Sequence, residues 1–289
     1  MTIRKAFHAG TWYSDKADKL KAQIDEWLDN VSSETAQAQA VIGPHAGYRF
    51  CGHVLAHAFK VVNTDKVERV FLLGPSHHFY TPKCMLSPAD TYATPLGDLK
   101  VDHEIYGSLQ SSGLFDRMTL SQDEAEHSLE MHLPFVARLF SPKEVTIVPI
   151  VVGALSASSE QRYGELLAPF VDDERNLFAL SSDFCHWGAR FGYTPYDKSK
   201  GAVHDYIEAL DREGMQAIET GKAEAFSDYL KATGNTICGR HAISIYLQAL
   251  KHCKTRMEIR FNKYDQSNRA TSTSDSSVSY ASANICALA

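Results

Sequence analysis

Three short apolar runs each lead within a few residues to a histidine, and this repetition constrains the fold more than any other feature. Val41-Ile42 runs into Gly43-Pro44-His45-Ala46-Gly47-Tyr48, and Val70-Phe71-Leu72-Leu73 runs into Gly74-Pro75-Ser76-His77-His78. Leu177-Phe178-Ala179-Leu180 runs into Ser181-Ser182-Asp183-Phe184-Cys185-His186. Continuous apolar runs bounded by Gly and Pro read as strands buried on both faces. In α/β sheets the residues just past the carboxyl ends of such strands converge on one crevice, where ligands bind. Histidines delivered there by separate strands point to a metal or proton-transfer site.

The intervening segments carry helical patterns. Residues 15–31 place Leu20, Ile24, Trp27 and Leu28 on one face, with Ser14 as the expected N-cap. Helices are also expected over 53–62, over 121–140 with a kink or split at Pro134, and over 158–171. Residues 145–152 form a further strand closed by Gly153, and 201–253 is mostly helical. Residues 257–264 and 277–286 read as two strands around a polar loop. This alternation predicts an α/β fold with a largely parallel or mixed central sheet flanked by helices, in one domain over residues 1–289.

A net charge of −6 offers no basic surface for phosphate contacts, so no nucleic-acid partner is expected. No apolar stretch approaches the ~20 residues needed to span a bilayer, so no membrane insertion is expected. The six cysteines, at 51, 84, 185, 238, 253 and 286, form no C-x-x-C pair or disulfide framework. Together with the lack of a visible secretory signal, this predicts a reducing, cytoplasmic compartment.

His45 and His77 are the strongest candidate ligands, since each follows a strand and a Gly-Pro. A third could come from Asp183, His186, Cys238, Glu130, His127 or His132. Cys238 stands just before a predicted helix over 242–250, where a thiol is biased toward thiolate, the form that binds metals. Asp183 and His186 could act as an acid/base pair. Within Glu126-His127-Ser128-Leu129-Glu130-Met131-His132, helical spacing puts His127 and Glu130 on one face and His132 away from both. The spacing is not H-E-x-x-H, which excludes the zinc-protease reading. There is no P-loop, no G-x-G-x-x-G and no G-x-S-x-G elbow. His8, in His8-Ala9-Gly10-Thr11-Trp12-Tyr13, is read as structural or rim-lining.

These motifs, with Asn235-Thr236-Ile237-Cys238-Gly239-Arg240-His241 and Asp275-Ser276-Ser277-Val278-Ser279-Tyr280, fall in order along nearly the whole chain. In that arrangement the sequence resembles the Memo family, named for a mediator of receptor-driven cell motility. The resemblance implies a fold shared with class III extradiol ring-cleaving dioxygenases, whose iron is held by two histidines and a carboxylate. Carried over by motif, His45 and His77 take the histidine positions, Cys238 stands where the glutamate would be, and His186 takes the acid/base position with Asp183 beside it. His78, His127, Glu130, His132, Arg240, His8 and Trp12 are then expected to support the ligands or contact a bound peptide. A thiolate is softer than a carboxylate and shifts preference toward copper(I), zinc or thiolate-tolerant iron. The resemblance therefore implies one iron or copper ion, with zinc as a further option, in a redox or signalling protein. Two other readings are an adaptor that binds receptor phosphotyrosine peptides or cytoskeletal signalling proteins, and a metal-dependent oxidase or dioxygenase. Against ring cleavage stands the replacement of the carboxylate ligand by Cys238.

Overall fold

The computed structural model describes residues 1–32 and 37–288. Its strands are β1 (Ile3–Arg4), β2 (Ala38–Gly43), β3 (Arg69–Pro75), β4 (Cys84–Leu86), β5 (Thr91–Tyr92), β6 (Leu99–Val101), β7 (Asp116–Arg117), β8 (Thr146–Val152), β9 (Asn176–Ser181), β10 (His186–Trp187), β11 (Met257–Gln266) and β12 (Ser277–Ala287). The α-helices are α1 (Ala17–Asp29), α2 (Tyr48–Phe59), α3 (His103–Ser111), α4 (Leu120–Ala125), α5 (Leu133–Phe140), α6 (Ala157–Val171), α7 (Val203–Glu219), α8 (Ala223–Thr233) and α9 (Arg240–Leu250).

The strand β3 lies at the centre. It pairs in parallel with β8, Arg69 opposite Thr146, and with β9, Arg69 opposite Asn176. Beyond β9, β2 continues the parallel register, and β12 then runs antiparallel to β2. The full order is β1-β5-β6-β8-β3-β9-β2-β12-β10, with β11 on β12 and β4 between β7 and β8. The fold is thus the expected mixed α/β arrangement.

Residues 70–73, 147–152 and 177–180 are buried one after another. In a pleated strand this requires cover on both faces. One helical group packs α2 on β2 and β12 and against α1; another packs α9 on β3 and β9 and against α6. Phe71 of β3 stacks on Phe178 of β9 at 4.6 Å between ring centroids, and Phe59 stacks on Phe135 at 5.6 Å. Burial of such side chains is worth roughly 1.5–3 kcal/mol each. The centre of the sheet is therefore a well-packed base for whatever its strand ends carry.

Several boundaries differ from expectation. The first helix begins at Ala17 with Lys16 at its N-cap position; Ser14 Oγ instead accepts the Lys16 N–H at 3.2 Å. The second helix starts at Tyr48, with Gly47 at its N-cap position, and ends at Phe59, several residues earlier at both ends than expected. The expected 121–140 helix is split, but before Pro134. Glu126 leaves the helical conformation, a 3-10 turn covers Glu130–His132, and Pro134 sits in the first turn of α5, where no amide hydrogen is needed. His127 and Glu130 consequently share no helix face. The short strands β4 and β5 have no counterpart among the expected elements.

Candidate metal centre

Three parallel strands end at the same edge, and each places a polar side chain two residues beyond its last residue. After Gly43 of β2 comes His45, after Pro75 of β3 comes His77, and after Ser181 of β9 comes Asp183. The His45 and His77 rings meet at 5.1 Å between centroids, inclined by 72°. His127, from the broken helical segment, stacks on His77 at 4.5 Å and lies 5.4 Å from His45. His45, His77 and His127 bring their ligand atoms within 4.8 Å of one another, a group that could hold a metal ion.

Hydrogen bonds fix which nitrogens are available. His45 Nδ1 lies 2.8 Å from Ser181 Oγ, and that hydroxyl donates to Ser128 O at 2.6 Å. With its hydrogen committed, Ser181 Oγ accepts from His45 Nδ1–H, which leaves Nε2 as the lone-pair atom. Nε2 faces Cys238 Sγ at 3.2 Å. His77 Nδ1 bonds Glu126 Oε1 at 2.9 Å, while Glu126 Oε2 accepts the His77 backbone N–H at 2.5 Å. The other side of His77 hydrogen-bonds Cys238. Such carboxylate and hydroxyl partners on the remote nitrogen orient imidazole ligands in metal sites.

Cys238 reaches the centre from the turn before α9. A Cβ on Gly239 would lie 2.4 Å from Ser181 O, so only glycine lets this turn press against the end of β9. Gly239 N–H donates to Ser182 Oγ at 3.0 Å, and the Asp183 N–H donates to Cys238 Sγ at 3.3 Å. Asp183 Oδ1 accepts the His45 backbone N–H at 2.8 Å. The loop after β2, the loop after β9 and the turn before α9 are thereby locked to one another.

Burial pulls the His77 pKa down, but its bonds to Cys238 and Glu126 outweigh this and hold it up at about 10. Glu126 is pushed up by burial and pulled further down by His77, to about 2. Burial and the charge of His77 lower His127 to about 3. Burial and the neighbouring histidines drive His45 well below the usual imidazole range, and burial raises Asp183. The resulting charge pattern is one imidazolium held between a carboxylate and a sulfur. His127 Nδ1 is buried with no hydrogen-bond partner.

Above this cluster opens a crevice of about 910 Å³, lined among others by Trp12, His78, Asp183 and His186. His186 Nδ1 faces two carbonyl acceptors, Phe184 O at 3.0 Å and Thr236 O at 3.1 Å. It must carry the hydrogen there, so in the neutral ring the lone pair lies on Nε2. The Trp12 ring lies 4.5 Å from His127.

The other expected residues are more remote. His8 bonds Glu130 Oε2 through Nδ1 at 2.9 Å, and Glu130 also takes Arg4 and the Tyr13 hydroxyl. This buried carboxylate anchors the N-terminal segment that carries Trp12. His132 is buried, its Nε2 3.2 Å from both Gly43 O and Pro44 O, and braces the loop that bears His45. Arg240 lines a smaller cleft of about 90 Å³ with Cys238, Pro75, Ser76 and His241, outside the large crevice. Glu126 and Ser181, which orient the two histidines, were not singled out from the sequence, although both lie inside the quoted motifs.

Among the described residues no helix is long and apolar enough to cross a membrane. The sequence model described as Memo-like protein matches residues 4–284. The chain is 49% identical to protein MEMO1 of Danio rerio over 97% of this chain and 96% of that one. It is 48% identical to protein MEMO1 of Homo sapiens over the same shares. To the memo-1 homolog of Caenorhabditis elegans it is 49% identical, over 96% of this chain and 81% of that one. Its fold is similar to the crystal structure of an uncharacterized protein from Escherichia coli K12, with a TM-score of 0.51 and 13% identity over 85% of this chain and 99% of that one. A match of such length and identity, together with the strand-end histidines, places the chain in the family of Memo-like proteins.

Proposed function

We propose that this protein binds one redox-active metal ion, iron or copper, through His45, His77 and Cys238. The observation that carries the reading is the 3.2 Å separation of Cys238 Sγ from His45 Nε2, with His77 bonded to the same sulfur. Ligand atoms at about 2.0 and 2.3 Å from one tetrahedral ion lie about 3.5 Å apart. His127 is the competing third ligand. Its ring is inclined only 18° to His77 and stacks on it, so an ion in the plane of one ring lies off the plane of the other. We assign His127 to the wall of the site instead.

The donor set suits the ion. Two oriented imidazoles and a thiolate favour copper(I), iron or zinc over hard cations. Iron or copper held there supplies one-electron chemistry. Ser181 and Glu126 keep each Nε2 turned inward, and His186 Nε2 can take a proton from a molecule in the crevice. The thiolate in place of a carboxylate argues against ring cleavage. Six free cysteines suit a reducing, cytoplasmic setting.

Anaerobic titration of reduced protein with iron(II) or copper(I) tests this directly. One ion should bind, and Cys238→Ser should weaken binding by at least tenfold while leaving the folded spectrum unchanged. Equal affinity in the variant would refute the assignment.

A further inference from the structure

Beyond its first turn, α2 carries a second pair of histidines. His53 and His57 lie four residues apart on the helix, so their side chains share one face. Both are half-buried, and neither lines the large crevice. The helix packs on β11 and β12. Asn262 of β11 ties the two together, donating through Nδ2 to His57 O at 3.1 Å.

The same strand supplies a carboxylate. Asp265 Oδ2 lies 2.8 Å from His53 Nε2, and Asp265 Oδ1 accepts the Gln266 N–H at 2.8 Å. A carboxylate only accepts, so His53 Nε2 carries the hydrogen and the neutral ring keeps its lone pair on Nδ1. Carboxylates bonded in this way orient histidine ligands in metal sites and raise their basicity.

His57 completes the pair. Among the described residues its ring has no hydrogen-bond partner. Burial, the charge of Lys263 and that of His53 hold its pKa below the ordinary imidazole value, so at neutral pH the ring offers a lone pair. Lys263 is a half-buried point charge on a flexible stem and can swing to water as an ion arrives. Two histidines at this helical spacing are a recurrent grip on zinc. Imidazole donors suit zinc, copper or nickel, whereas calcium and magnesium take oxygen ligands.

We propose that His53 and His57 form a second metal site on α2, which takes a zinc-class divalent cation, with Asp265 orienting His53 and water completing the shell. It uses no residue of the strand-end cluster and does not depend on that cluster holding an ion.

Equilibrium dialysis of the reduced full chain against zinc(II) tests the proposal, with the folded spectrum checked for each variant. His53→Gln and His57→Gln should each abolish retention of one zinc ion. Asp265→Asn should weaken that ion by about 10–100-fold, the usual effect of losing such a partner. Cys238→Ser should leave it in place. Zinc binding unchanged from wild type in either histidine variant would overturn the proposal, since one imidazole alone makes only an adventitious contact. So would loss of the same ion in Cys238→Ser, which would assign it to the strand-end cluster. Failure of the strand-end reading shows separately, as a wild-type protein whose single zinc is indifferent to Cys238→Ser and lost in His53→Gln; that result supports the α2 site.

Discussion

Glu126 grips His77 at two points, taking its backbone N–H on Oε2 at 2.5 Å and its Nδ1–H on Oε1 at 2.9 Å. At Glu126 the backbone leaves the helical conformation and the carboxylate turns inward; Oε1 also accepts the Ser128 N–H at 2.9 Å. Glu126→Gln removes the charge that sets the basicity of His77 and forces one amide hydrogen toward these donors. Metal affinity should fall about 10–100-fold, the usual effect of losing such a partner. Competition against a chelator measures it, and an unchanged affinity would show that Glu126 is only structural.

Proton and metal compete for the inner face of His77. Its pKa of about 10 means that the metal-free site holds this proton across the neutral range. Binding must release it, so apparent affinity rises with pH below 10 and levels off above. Between pH 6 and 9 the logarithm of the affinity should gain about one per pH unit for each proton released. A flat profile over that interval contradicts the assignment of His77.

Gly239 allows the Cys238 turn to touch the end of β9. Gly239→Ala puts a Cβ 2.4 Å from Ser181 O and must move the turn. The expected loss of stability is about 1–3 kcal/mol, the usual range for forced overpacking. Metal affinity should fall as well, because the thiol moves with the turn. Chemical denaturation and metal titration of the same variant separate the two effects.

Arg4 lies buried between Asp123, at 3.2 Å, and Glu130, at 2.5 Å. Its removal leaves two buried carboxylates short of their counter-charge. Arg4→Met should cost about 3–5 kcal/mol, the range for breaking a buried ion pair from one side. Urea unfolding reads the change; a loss below 1 kcal/mol would mean that Glu130 is held by His8 and Tyr13 alone.

The central strands were legible because β3, β8 and β9 are buried on both faces and so carry no polar interruption. The convergence of His45, His77, Asp183 and Cys238 was legible because strand ends and a helix start fix their positions within a residue or two. The position of His127 against His77 was not, since helical spacing hid the break at Glu126, whose carboxylate bonds a distant strand end. The same is true of Ser181: only the folded network reveals that its hydroxyl hydrogen is committed to Ser128 O. Arg240 illustrates the reverse. It neighbours Cys238 in sequence and lines the smaller cleft together with it, so it does not reach the large crevice where a bound peptide was expected.

X-ray absorption of the iron- or copper-loaded protein at the metal edge tests the central claim most directly. The account predicts one sulfur scatterer at about 2.3 Å with imidazole nitrogens at about 2.0 Å, the sulfur disappearing in Cys238→Ser. A first shell of nitrogen and oxygen alone would contradict it and make His127 the third ligand.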